Sequence, residues 1–323
     1  MQIKSFDFIA FATKDLNSAV KLFKSIGFQP AGQLFTDAGE ITSLVQGNVH
    51  CALHEGIGQK AHARQFAERH GEGVCEIAFA VDNLENTIQH LTKRGAKLSD
   101  TRIAVTPRGR GQALSVTFGS IRHTFIQYRE PLRSFSQNAS DHSLKPLTAV
   151  DHLVLNVSMG EMDKTLRFYT DILSLQPAAE LDLASDHASI RARAVKLPEG
   201  SFKILIHEPA DDRSKSHEFV KQHNGSGVQA VVFATEDISA TTRVFRENNL
   251  SFAEPPANSY DQLSAFGDQI PTLKRLDIFV EGNPKSCIMS AFTKPVIGNS
   301  FFGLVRRHNF EGFGKETLTR VFI

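Results

Sequence analysis

The chain has 323 residues, more than one hydrophobic core ordinarily holds, so two domains or one duplicated domain are expected. A hydrophobic fraction of 41%, a charged fraction of 22% and a formal net charge of +1 give no electrostatic case for nucleic acid or an acidic membrane, which leaves a small molecule as the expected partner. Met1-Gln2-Ile3-Lys4-Ser5 lacks the basic and apolar regions of a signal peptide, no run is apolar enough to span a bilayer, and Cys51, Cys75 and Cys287 are too scattered for a disulfide framework or a zinc site, so a cytoplasmic location is expected.

In chain order, Phe6-Asp7-Phe8-Ile9-Ala10-Phe11 reads as a strand, followed by an amphipathic helix with Leu16, Ala19, Val20 and Phe23 at helical spacing and a turn at Gly27-Phe28-Gln29-Pro30. Gly73-Val74-Cys75-Glu76-Ile77-Ala78-Phe79-Ala80-Val81 is an apolar strand running into a polar helix start at Asp82-Asn83-Leu84. Arg108-Gly109-Arg110-Gly111 lacks the strand-to-helix context of a phosphate loop and reads as a hairpin turn. Segment 131 to 149, rich in Ser, Asn and Lys, reads as a linker. The pattern then starts again. Val150-Asp151-His152-Leu153-Val154-Leu155 matches the first strand, Leu166, Tyr169 and Leu173 mark a second helix, and Ser174-Leu175-Gln176-Pro177 matches the first turn. The strand at Gly73 returns 154 residues later as Gly227-Val228-Gln229-Ala230-Val231-Val232-Phe233-Ala234-Thr235, again entering a helix at Glu236-Asp237-Ile238. An internal duplication follows, of α+β class, with halves at 1–130 and 150–323.

Each half reads as strand, helix and strands, twice over, and so resembles the paired βαβββ units of the glyoxalase-like vicinal oxygen chelate superfamily, in which two units curl into a half-open barrel. A more specific resemblance lies at the C-terminus. Phe301-Phe302-Gly303-Leu304-Val305-Arg306-Arg307-His308-Asn309, then Gly312-Phe313-Gly314-Lys315, resembles the tail of the 4-hydroxyphenylpyruvate dioxygenase family. Val150-Asp151-His152, Asn224-Gly225-Ser226-Gly227-Val228-Gln229, Pro198-Glu199-Gly200, Ile206-His207-Glu208-Pro209, Tyr260-Asp261-Gln262-Leu263 and Phe292-Thr293-Lys294-Pro295 fall in family order.

The resemblance implies a structural, metal-free N-terminal barrel, with Phe8 and Glu76 at its His-equivalent positions, and a C-terminal barrel carrying the pocket and a closing helix. It also implies an iron(II) dioxygenase acting on a 2-oxo acid, with two His and one carboxylate holding the metal. His152 stands at the first ligand position, but Ala230 and Gly303 occupy the other two. The substrate shell differs as well. Ala192 replaces a Ser, His207 an Asn, Ser290 a Gln and Thr317 an Asn, while Gln229, Phe292 and Phe313 keep their types.

Three functional readings stand at this point. The first is a binding protein without cofactor that holds an aromatic or other planar ligand, or a 2-oxo acid, in the C-terminal barrel. The second is an enzyme of altered chemistry in which His152 and His207 act as acid and base or bind a different metal, with Arg191, Arg193, Arg306 or Arg307 gripping a carboxylate. The third is an iron dioxygenase with non-standard ligands. A single His in a barrel interior is also commonly a hydrogen-bonded core residue, and Phe301, Phe302 and Phe313 fit core or lid positions under any function. The family resemblance implies a homo-oligomer.

Overall fold

A computed structural model describes residues 1–36, 39–56, 61–130 and 147–323. Strand periodicity lets one strand serve two environments. In β1 (Ile3–Ala12), Ile9 and Phe11 point into a core packed by helices, while Phe8, Ala10 and Ala12 face the opposite side. It is followed by α1 (Leu16–Ser25), β2 (Gln29–Thr36), β3 (Gly39–Gln46), β4 (Val49–Gly56) and α2 (His62–His70). The second unit comprises β5 (Gly73–Val81), α3 (Leu84–Lys93), β6 (Arg102–Thr106), β7 (Gly109–Phe118) and β8 (Ile121–Tyr128). The strands form one sheet in the order β2-β3-β4-β1-β5-β8-β7-β6, with β1 and β5 antiparallel at its centre.

The second half repeats this. Its first unit is β9 (Leu147–Asn156), α4 (Met162–Arg167), β10 (Gln176–Ala184), β11 (Ser189–Lys196), β12 (Lys203–Pro209) and α5 (Lys215–Gln222). Its second is β13 (Gly227–Thr235), α6 (Ile238–Glu247), α7 (Ile270–Arg275), β14 (Phe279–Asn283), β15 (Ser286–Phe292), β16 (Phe301–His308) and the closing α8 (Lys315–Phe322). The sheet order, β10-β11-β12-β9-β13-β16-β15-β14, is that of the first half, and each sheet curls into a half-open barrel.

The repeated polar helix starts are N-caps: Asn83 accepts from the Asn86 amide at 2.8 Å and Asp237 from the Ala240 amide at 2.9 Å. The two matching turns share a left-handed residue, Gly27 at φ 100° and Ser174 at φ 62°. Arg108 sits in the β6–β7 hairpin, as its context suggests, and pairs with Asp7 at 3.0 Å. The C-terminal half begins earlier than expected. Leu147, Thr148 and Ala149 belong to β9 because Ala149 and Leu147 pair with Ala234 and Thr235, and the rest of the expected linker lies outside the described residues. The second helix also departs from a regular α-helix, turning into a π-segment over Phe168–Ile172. There the Tyr169 hydroxyl meets His123 Nε2 at 3.0 Å in the other half.

The halves share a core. The outward face of β16 places Phe302 against Phe11 and Phe23 of the first half, with ring centroids 6.2 and 5.5 Å apart, and against Phe233 at 5.5 Å. Phe6 stacks on Phe202 at 4.4 Å. Truncating a fully buried ring such as Phe302 to Ala costs about 3–5 kcal/mol, so one position couples both barrels. All three cysteines are buried and free.

Candidate ligand site in the C-terminal barrel

Three adjacent strands bring the expected iron positions together. Val232 of β13 lies opposite His152 of β9 on one side and Gly303 of β16 on the other; one step along, Ala230 lies between Val154 and Phe301. The row is therefore His152, Val232, Gly303 on the inner face. Hydrocarbon fills the place of the carboxylate. A Cβ on Gly303 would meet Val232 Cγ2 at 2.9 Å and the Phe292 ring at 3.0 and 3.1 Å. Ala230 is fully buried in the same cluster. These residues do not fit iron(II), which requires two imidazoles and a carboxylate on one face. Among the described residues no three His, Cys, Asp or Glu side chains converge to hold a metal.

His152 is nonetheless held with care. Its Nδ1 donates to Asp151 Oδ1 at 2.6 Å, and Asp151 in turn accepts two bonds from Arg307, at 2.8 and 2.9 Å. Arg307 and the His152 hydrogen bond hold the Asp151 carboxyl well below its usual range against the opposing effect of burial, so it is ionised and fixes the His152 tautomer. Burial lowers the His152 pKa, so the ring is neutral at pH 7 with Nε2 as its acceptor. That Nε2 is buried without a hydrogen-bond partner among the described residues. The Phe313 ring stands edge-on to it at 5.1 Å.

His207 is also fully buried, its pKa pushed down to about 3 by burial, and neither ring nitrogen has a hydrogen-bond partner among the described residues. The Phe322 ring of α8 covers it at 4.8 Å, and Ala192 lies opposite it on β11. His207 is offset from His152 along the sheet, although the two imidazoles still interact electrostatically. His152 is in register with Lys203 and His207 with Asn156, four residues along adjacent strands, so their backbones lie roughly 13 Å apart at about 3.3 Å per residue. Beside His207, Gln229 accepts from Asn156 Nδ2, and Asn156 Oδ1 is a further buried atom without a hydrogen-bond partner among the described residues.

The remaining expected residues divide between floor and lid. Phe292 and Ser290 are buried on β15. Thr317 sits on α8, where its amide donates to Glu281 Oε1 at 2.6 Å; Lys215 Nζ donates to the Arg320 carbonyl at 2.9 Å, fastening the other end of the helix. Leu318 and Phe322 enter the barrel cluster with Phe292, Phe301 and Phe313. Of the arginines, Arg307 serves Asp151, Arg191 pairs with Glu208 at 3.1 Å, Arg193 with Asp182 at 3.3 Å, and Arg306 is exposed. None grips the inner cavity. A cavity of about 390 Å³ opens at the barrel mouth outside α8, lined in part by Gln229, Phe292 and Phe301 with Lys215, Lys294 and Arg320.

Leu318 and Phe322 of α8 occupy the interior of the C-terminal barrel, whereas a larger cavity, about 450 Å³, lies on the inner face of the N-terminal sheet. Small inner residues such as Ala52 and Ala104 leave it open among the described residues. Strand alternation put Val232 on the inner face two residues from Ala230, a signal that could have exposed the filling; the roles of Asp151 and Phe322 had no comparable local signal.

Comparisons with known proteins agree with this architecture. Residues 1–108 match the model for "Hydroxyphenylpyruvate dioxygenase, HPPD, N-terminal", and residues 149–269 that for the "Glyoxalase/Bleomycin resistance protein/Dioxygenase superfamily". A 4-hydroxyphenylpyruvate dioxygenase of Pseudomonas aeruginosa is 28% identical, the alignment covering 98% of this chain and 92% of that one. Hemolysin VllY of Vibrio vulnificus is 27% identical over the same shares. A triple variant of 4-hydroxymandelate synthase from Streptomyces coelicolor superposes with a TM-score of 0.85 at 20% identity, covering 99% of this chain and 97% of that one. With both halves matched and relatives aligned along nearly their whole length, the chain belongs to the 4-hydroxyphenylpyruvate-dioxygenase-like branch of the glyoxalase, or vicinal oxygen chelate, superfamily.

Proposed function

We propose that the chain binds a planar, hydroxylated small molecule, an aromatic compound or a 2-oxo acid in enol form, between the inner face of its C-terminal sheet and α8, without iron-dependent oxygenation. One observation carries this reading: His152 Nε2 and both nitrogens of His207, each ring packed against a Phe, and Asn156 Oδ1 are buried with no hydrogen-bond partner among the described residues. Each such group costs about 1–3 kcal/mol when left unsatisfied, so a ligand that meets them is favoured over the empty barrel. Asp151 leaves His152 Nε2 as an acceptor, which calls for a hydroxyl at that end. His207 and Asn156 together offer a donor and acceptors for a second polar group at the other end, and Phe292 and Phe313 supply walls for a ring between them. Entry requires α8 to withdraw Phe322.

The test compares 4-hydroxyphenylacetate with phenylacetate by calorimetry. A preference of tenfold or more for the hydroxylated probe, lost in His152→Ala, is expected; equal affinity of the two, or a preference that survives the substitution, would reject the site.

The Asp151–His152 arrangement favours a second reading, in which Nε2 acts as a general base toward that same hydroxyl. Turnover of a bound phenol or enol that disappears in His152→Gln while binding persists would support it, and unaltered turnover would exclude it.

A further inference from the structure

The N-terminal barrel, assigned no chemistry by its family resemblance, holds the larger cavity and the denser set of charged inner residues. The registers of the two sheets align position by position. Phe8 pairs with Ala78 and Ala78 with Thr124, as His152 pairs with Val232 and Val232 with Gly303. On the same alignment His54 of β4 corresponds to His207, Glu76 to Ala230 and Arg122 to Phe301. At these three positions the C-terminal barrel has an imidazole, a methyl and a phenyl ring, and the N-terminal barrel an imidazole, a carboxylate and a guanidinium.

Glu76 organises them. It is buried; its Oε1 accepts from the Thr124 hydroxyl at 2.5 Å and lies 3.6 Å from Arg102 Nη2, while Oε2 lies 3.6 Å from Arg122 Nη1. Arg102 also donates to Ser115 Oγ at 2.8 Å and Thr124 Oγ1 at 3.3 Å, which fixes its guanidinium across the cavity end. Beyond its ion pair with Glu76, the Arg122 guanidinium donates no hydrogen bond to another described residue, so donors of its fork remain for a ligand. Two cations on one carboxylate leave a net positive charge at this end. His54 adds none, since burial lowers its pKa to about 4, and burial likewise lowers that of His62, whose Nε2 donates to the Cys75 carbonyl at 2.9 Å. The walls beyond are apolar, formed by Phe8, Ala52, Ala104 and Ile126. Glu40 and Glu55, paired across β3 and β4, also line the cavity and disfavour a ligand with more than one negative end.

We propose that the N-terminal barrel is a second ligand chamber, which takes a small planar monocarboxylic acid with its carboxylate on Arg122 and Arg102 and its flat body against Phe8 and Ala104. The volume of about 450 Å³ lies in the range of small-molecule sites, and the bidentate guanidinium fork matches a carboxylate. This chamber stands apart from the site proposed above: it asks for an acid group, whereas His152 asks for a hydroxyl.

Benzoate, which has the acid and no hydroxyl, is the probe, with benzamide as its neutral counterpart. Calorimetry on the full chain should show saturable benzoate binding at least tenfold tighter than benzamide. Arg122→Gln should weaken it tenfold or more, and Ala104→Phe, which fills the cavity from edge strand β6 and leaves Glu76, Arg102 and Arg122 unsubstituted, should abolish it. Where Arg122→Gln unfolds the chain by stranding Glu76, the Glu76→Gln/Arg122→Gln double variant carries the same test with no unpaired carboxylate. Absence of benzoate binding to the unaltered chain, or binding that persists in both the arginine and the Ala104 variants, would overturn the proposal. The His152 probes also carry a carboxylate, so their comparison is read in the Ala104→Phe variant, where the N-terminal cavity is filled, and either site can then fail without the other.

Discussion

Gly303→Ala isolates the claim that hydrocarbon has closed the carboxylate position. Gly303 has no left-handed backbone conformation, so an alanine there has no φ penalty and, in open space, would stabilise the strand by about 0.5–1 kcal/mol through lower chain entropy. Here the new methyl arrives 2.9 Å from Val232 Cγ2 and 3.0 Å from the Phe292 ring. Overpacking of a buried site costs about 1–3 kcal/mol, which outweighs the entropic gain and leaves a net destabilisation of about 0.5–2 kcal/mol. Val232→Ala removes the nearest methyl while the Phe292 contact remains, so in the double variant the penalty should be relieved in part, giving a favourable coupling of about 1 kcal/mol in a double-mutant cycle. Urea unfolding of the four proteins measures it. A stabilised Gly303→Ala variant, or a cycle that closes within error of zero, would show that the position is open and the reasoning wrong.

Two further outcomes follow from the same geometry. Burial holds His50, His123 and His207 down to about 3 and His54 and His223 to about 4, so the unfolded chain takes up protons near pH 6.5 that the native state refuses. Their contribution is complete above about pH 6.5 and is lost as pH falls toward 4; the depressed Asp151 and Glu76 add loss below about pH 4, and Asp7, raised by burial, acts in the opposite sense. The urea midpoint should therefore fall steadily between pH 7 and 4.5, and a flat profile would contradict the assigned burial. Phe322→Ala should lower stability by about 3 kcal/mol yet tighten binding of 4-hydroxyphenylacetate, because it removes the ring that covers His207; weaker binding would mean that Phe322 is part of the ligand's wall.

Much of the architecture was legible because it is periodic. The recurrence of Gly73–Val81 as Gly227–Thr235 places β5 and β13 at the same point of two sheets, and the polar residues after each strand are helix caps. His152, Ala230 and Gly303 fall on adjacent strands as the tail resemblance implied. What escaped the sequence depends on pairing between distant segments. That His207 lies four residues out of register with His152 follows from the parallel β9–β12 pairing. Glu76 was recognisable as a replaced ligand position, but its partners Arg102 and Arg122 come from β6 and β8, and nothing local in either strand marks them as facing a cavity. The start of β9 was misplaced because Leu147 to Ala149 resemble the preceding segment in composition, while their ladder to β13 is tertiary.

Iron(II) titration under anaerobic conditions, followed by oxygen uptake with 4-hydroxyphenylpyruvate, tests the central claim most directly. With His152 alone among the three ligand positions, the account predicts no stoichiometric iron site and no substrate-dependent oxygen consumption. One tightly held iron per chain, with oxygen consumed as the 2-oxo acid disappears, would contradict it.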